Sequence, residues 1–237
     1  MKTKAILLIF LIEVGYGPVT HAQGAFQNLD FESAKVAGYT PRGYGIPISA
    51  AFPRWSVTSP GYTPVFYDGA SLGGAAISIW DSNITTVYPG SHFTVLDDNF
   101  SAILFGGEFG PATLSQTGLV PTYSRSLQML VGTYYYPSLA CFSVSLGGQN
   151  IQMIPLASFS NCTLYGGDIS SHAGKVETLS LSALTPPSPI IPPSLFVVDD
   201  IEFTPQIVPE PTTIGLLALG GLLLRSRFLV HHVRMKR

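Results

Sequence analysis

Between Gln23 and Ile207 the apolar residues of this chain recur at intervals of two, in short runs cut off by glycine and proline. That period sends successive side chains to opposite faces of an extended strand and leaves no stripe for a helix to bury. Candidate strands fall at residues 26–32, 54–58, 65–67, 75–80, 93–96, 101–105, 112–116, 126–131, 139–146, 150–156, 175–181 and 195–203. Gly147-Gly148, between two alternating runs, predicts a hairpin, because both positions can adopt the left-handed conformation a tight turn needs. Composition agrees: 24 glycines and 19 prolines against 11% charged residues favour turns and strands over solvent-facing helices. The expectation is an all-β domain, an antiparallel two-sheet β-sandwich of jelly-roll type. The proline-rich stretch 185–194 reads as a stiff loop inside it, since 195–203 still alternates like a core strand.

Charge narrows the partners. The body holds five basic residues (Lys35, Arg42, Arg54, Arg125 and Lys175) against twelve acidic ones, a net charge of −7. A phosphate backbone would be repelled, which excludes nucleic acid.

Both ends read as targeting segments. Lys2 and Lys4 precede an apolar run over 5–12, and Thr20-His21-Ala22 offers small residues where a signal peptidase reads, so residues 1–22 are expected to be a signal peptide. At the other end the apolar run 214–224, even with Thr212 and Thr213, would rise about 20 Å as a helix against about 30 Å of hydrocarbon. Arg225, Arg227, Arg234, Lys236 and Arg237 follow it, which leaves the tail in the cytoplasm and the body outside. Such a segment suits a temporary anchor. The division is therefore 1–22, a body over 23–207, and a sorting or anchor segment over 208–237.

Val208-Pro209-Glu210-Pro211, the short Gly/Leu-rich run and the Arg-rich end together resemble the PEP-CTERM sorting signal of bacterial exported proteins. The resemblance implies an exosortase as membrane processing partner, transient anchoring in the inner membrane, delivery to the cell surface or extracellular matrix, and association with exopolysaccharide. The stretch 228–237 is longer and more apolar than that signal usually carries after its first arginines. A simple single-pass anchor is the alternative on physical features alone. The opening 28–32 and closing 198–203 are similar to the first and last strands of jelly-roll carbohydrate-binding modules and galactose-binding-like domains. That likeness implies neighbouring first and last strands and a structural calcium held by Glu32, Asp199 and Asp200.

Other constellations compete with plainer readings. Gly69-Ala70-Ser71-Leu72-Gly73 fits the G-x-S-x-G nucleophile elbow, but 74–80 alternates like a strand where a helix should start, so a turn is expected. Asp168 and His172 come later in triad order within a Gly/Ser-rich loop, and Asp97 or Asp98 with Glu108 is one of many arbitrary carboxylate pairs. His92 and His172, eighty residues apart, make a histidine-based metal cluster improbable. Trp55, Trp80 and Tyr134-Tyr135-Tyr136 offer faces for stacking on sugar rings, against ordinary packing for the two tryptophans. Cys141 and Cys162 are either two buried thiols or, after export, a disulfide contributing about 3 kcal/mol. The function expected is a structural or interaction role with exopolysaccharide and without enzymatic activity, the alternatives being a lectin-like module and a secreted hydrolase.

Overall fold

Two sheets face each other across one core. The computed structural model describes residues 24–42, 45–60, 65–69, 74–84, 95–107, 110–133, 142–185 and 195–208. The smaller sheet has five strands: β1 (Ser56–Thr58), β5 (Ala112–Leu119), β11 (Val176–Ala183), β7 (Phe142–Leu146) and β8 (Gln149–Ile151), in that spatial order. The larger has seven: β2 (Phe66–Tyr67), β3 (Ala76–Asp81), β4 (Phe100–Phe105), β12 (Leu195–Thr204), β6 (Ser126–Thr133), β10 (Thr163–Asp168) and β9 (Ile154–Ser158). The result is the expected all-β, jelly-roll-like sandwich, except that β2 and β3 run parallel where antiparallel pairing was expected throughout.

Alternation explains which faces meet. In β5 and β11, Ala112, Leu114, Leu179, Leu181 and Ala183 point inward with the polar residues between them on the outer face. They meet Ile77, Ile79, Leu104, Leu127, Met129, Phe196 and Val198 of the larger sheet. Each fully buried Leu, Ile or Phe contributes about 1.5–3 kcal/mol. The larger sheet is covered on its outer face too. There Ala76, Trp80, Ile103, Phe105, Leu195 and Val197 form a second cluster, with Val95 and Leu96 packed on it.

Several predicted strands are placed differently. Residues 26–32 form a turn, entered through the left-handed Asn28 (φ 52°) and Phe31 (φ 58°). Asn28 ties that turn together: its Oδ1 accepts from the Ser33 amide at 2.9 Å and its carbonyl accepts from Trp55 Nε1 at 2.8 Å. The predicted 150–156 strand is two, since β8 ends at Ile151 in one sheet and β9 begins at Ile154 in the other. Strand β10 was hidden in a glycine-rich stretch read as loop. Glycine is required there for packing, because a Cβ on Gly166 would lie 2.6 Å from Leu156 Cδ1 and 2.9 Å from Val208 Cγ2. Val95 and Leu96 are not in a strand. The Gly147-Gly148 hairpin joins β7 and β8 with φ of 58° and 79°. Residues 1–23 and 209–237 lie outside the described residues, among which no helix is long and apolar enough to cross a membrane.

Candidate functional site

Two buried carboxylate centres stand out. The first lies where β12 is interrupted by a bulge between Asp199 and Glu202, with Asp200 at φ 47°. The bulge turns the Ile201 amide to the Leu29 carbonyl at 3.1 Å, so the opening segment does lie beside the last strand. Asp199 is 1% exposed. Its Oδ2 accepts from Ser101 Oγ at 2.5 Å and the Asp97 amide at 3.3 Å, and its Oδ1 from the Asp200 amide at 2.8 Å. Glu32 clamps the same turn from outside: Oε1 accepts from the Asn99 and Phe100 amides at 2.9 and 2.7 Å, and Oε2 from Asn99 Nδ2 at 2.9 Å.

Burial pushes the Asp199 carboxyl up to about 8, with the Glu32 charge adding to it and the three donors pulling the other way. Asp200 is exposed and is raised by desolvation and by Asp97, Asp30 and Asp98. Glu32, Asp199 and Asp200 thus gather about one turn. The oxygens of Glu32 and Asp199 are already taken by N–H and O–H donors, and a calcium ion would have to displace them. Among the described residues no group of three or more His, Cys, Asp and Glu side chains is arranged to hold a metal. Here the placement does not fit the ion that the strand resemblance implies.

The second centre joins β2 to β3. Tyr67 Oη donates to Asp81 Oδ2 at 2.8 Å, the Asn83 amide and Nδ2 donate to Asp81 Oδ1 at 2.8 and 2.9 Å, and the Asp81 amide donates to Asp68 Oδ1 at 3.0 Å. Asp68, 4% exposed and left-handed at φ 47°, has its Oδ2 buried with no hydrogen-bond partner among the described residues. Burial raises its carboxyl to about 7, with the charge of Asp81 adding and Arg42 and the Asp81 amide opposing. The Tyr67 hydroxyl is raised as well, by burial first and then by its bond to Asp81. Nothing in the sequence singled out Asp68, whose neighbours read only as a strand before a turn. A paired strand end with Asp at both 68 and 81 becomes visible only once β2 lies parallel to β3.

The other predicted site residues divide. Trp55 and Trp80 are each 5% exposed, Trp55 packed 5.6 Å from the Phe31 ring and Trp80 in the outer cluster, which is the ordinary packing weighed against sugar stacking for both. Tyr134, Tyr135 and Tyr136 lie outside the described residues, as do Ser71, His92 and Glu108. The first element after Ser71 is the strand β3, where an elbow needs a helix. Asp168 accepts from the Ser170 amide and Oγ, which hold its carboxyl low, while His172 Nδ1 lies 2.6 Å from Glu177 Oε2. Those bonds assign them to separate partners. Cys162 is half-buried, its thiol raised by burial and by Asp97 and Asp199, and Cys141 lies outside the described residues. Of the tail motif, Val208 alone is described; it is buried on Gly166, and Pro209, Glu210 and Pro211 lie outside.

The sequence matches no protein-family model and no curated protein. Among solved structures the chain is similar to a Stig cyclase, Fisc, from Fischerella sp. TAU, described in complex with (3Z)-3-(1-methyl-2-pyrrolidinylidene)-3H-indole. The match has 14% identity and a TM-score of 0.44, over 76% of this chain and 95% of that one. It is also similar to the enzymatically active domain of tailspike protein 4 of bacteriophage CBA120, with 12% identity and a TM-score of 0.32 over 62% of this chain. The chain spans only 19% of that tailspike protein. Both are described as enzymes, whereas this chain was expected to be without enzymatic activity; at these TM-scores the two likenesses carry no argument about its activity. Likeness at this level concerns the fold and transfers no residue or reaction.

Proposed function

We propose that this chain is an exported bacterial protein whose β-sandwich is delivered to the cell surface or extracellular matrix by a PEP-CTERM tail, where it interacts with exopolysaccharide. The observation that supports this reading most is the junction at Val208. This residue opens the Val-Pro-Glu-Pro motif and is itself buried in the body, 6% exposed and packed on Gly166. Packing on the body therefore reaches the first residue of the proposed sorting signal, with no linker before it. Exosortase is the processing partner in this reading, and Glu210, a carboxylate between two rigid prolines, is the feature it would recognise. Substituting Glu210→Ala should leave unprocessed precursor in the membrane fraction; unchanged release would contradict recognition of the motif.

A second reading, a secreted hydrolase, draws support from one observation. Asp68, three residues before Ser71, has a buried carboxyl raised to about 7 beside Asp81 and Tyr67, and such perturbed groups concentrate at functional sites. Fluorophosphonate labelling that is lost in Ser71→Ala would favour it. Lectin-like binding through Tyr134, Tyr135 and Tyr136 is tested by glycan-array binding of the exported protein. Structural calcium, with Glu32, Asp199 and Asp200 as the residues in question, carries its own test, melting in calcium against chelator.

A further inference from the structure

The edge of β9, beyond which no strand lies among the described residues, differs from the rest of the surface. No charged residue occurs from Phe142 to Gly167, a stretch covering β7 to β9 and β10 up to its final Asp168, in a body that otherwise carries −7. Edge strands are ordinarily blunted by charge, proline or a bulge. Here Pro155 is the only such device on the strand itself, with a bulge in the ladder at Leu164/Tyr165. Along this edge Leu156 is 36% exposed and Phe159, in the hairpin just beyond, 57%. The last described residues, Ile207 and Val208, lie at the same place. Val208 and Leu156 both close on the Gly166 position, and Ile207 beside them is 74% exposed.

The length of chain beyond this edge decides its occupant. Five residues separate Val208 from the apolar run that begins at Ile214, a reach of at most about 20 Å. With the tail in a bilayer, that reach holds Val208 close to the lipid surface. An acidic body gains nothing from anionic headgroups, whereas an uncharged edge with protruding Leu156, Phe159 and Ile207 loses no charge hydration on contact and can bury apolar surface at the interface. We infer that the β9 edge, through Leu156, Phe159 and Ile207, rests on the membrane surface while the tail is anchored. This rests on the anchoring part of the proposed function.

The test uses the full chain reconstituted in phosphatidylethanolamine/phosphatidylglycerol vesicles containing brominated acyl chains. Phe159→Trp reports from the β9 edge. Tyr39→Trp reports from near the opposite edge, since Tyr39 lies three residues before Arg42, whose amide bonds to Tyr67 of β2. Six strand spacings, about 29 Å, separate β2 from β9. Wild type, with Trp55 and Trp80 buried, supplies the background. Loss of Phe159→Trp emission with none at Tyr39→Trp, unchanged by high salt, is expected. Protein that floats with the vesicles while Phe159→Trp is unquenched overturns the docking and leaves the anchor standing. Quenching at both sites, quenching abolished by salt, or protection of Phe159→Trp by a cross-linked second copy overturns it as well. Failure to float overturns both the anchor and the docking.

Discussion

Asp199 and Asp68 are both aspartates that burial has pushed toward neutral pH, and they differ in their surroundings. Asp199 sits on a central strand with three donors on its two oxygens. Asp68 sits at an edge with one donor on Oδ1 and, among the described residues, nothing on Oδ2. The first centre is part of the architecture, holding the 95–101 turn against the chain's opening segment. The second carries an unmet demand, and a buried polar atom left unpaired costs about 1–3 kcal/mol. Natural folds keep such atoms rare; among the described residues Ser124 Oγ is another.

The contrast can be broken by substitution. Asp199→Ala should be the most damaging change, about 2–4 kcal/mol in denaturant unfolding, because Ser101 Oγ and the Asp97 and Asp200 amides lose their acceptor together. A loss below about 1 kcal/mol would mean water replaces the carboxylate and the centre is not structural. Asp68→Asn should instead stabilise the fold by about 1–3 kcal/mol at pH 8, with the gain shrinking as pH falls toward about 4, since it removes a buried charge whose Oδ2 has no donor among the described residues. A loss at pH 8 would show that the carboxylate is satisfied.

Titration sharpens the same comparison. Both carboxyls are raised from 3.8, Asp199 to about 8 and Asp68 to about 7, so the native state holds protons that the unfolded chain has released. Their contribution is fully present at acid pH and is lost as pH rises through about 4 to 8, and melting temperature should fall over that window from these two groups. Asp168, lowered by Ser170, works in the opposite direction below its ordinary value. The pH slope should shrink in Asp68→Asn; an identical slope would exclude Asp68 as its source. The smallest expected effect is calcium. With the oxygens of Glu32 and Asp199 engaged, melting should be the same in millimolar calcium and in chelator. A gain near the roughly 2.7 kcal/mol that a hundredfold excess over Kd provides would show that the ion displaces those donors.

Alternation made the sandwich legible, because strands such as β5 and β11 bury every second residue against the core. It was blind to β10, whose Gly166-Gly167 carries no side-chain pattern and is glycine because Leu156, Val208, Ile151 and Met153 fill the space. It also mistook 26–32 for a strand: Phe31 is fully buried, but it reaches the core from a left-handed turn. Of the sites, Asp199 and Glu32 were placed near each other from the resemblance of the end strands. Their mutual use of the 95–101 turn was not visible, since main-chain amides leave no mark in sequence. Asp68 escaped for a related reason, as its partner Asp81 is set by the parallel register of β2 on β3.

The central claim concerns where the protein goes, and the most direct measurement is the intact mass of the natively exported chain. The account predicts a species starting at Gln23 whose C-terminus lies near Pro211, with the body through Val208 unchanged. A released protein that still carries Arg237 would contradict it.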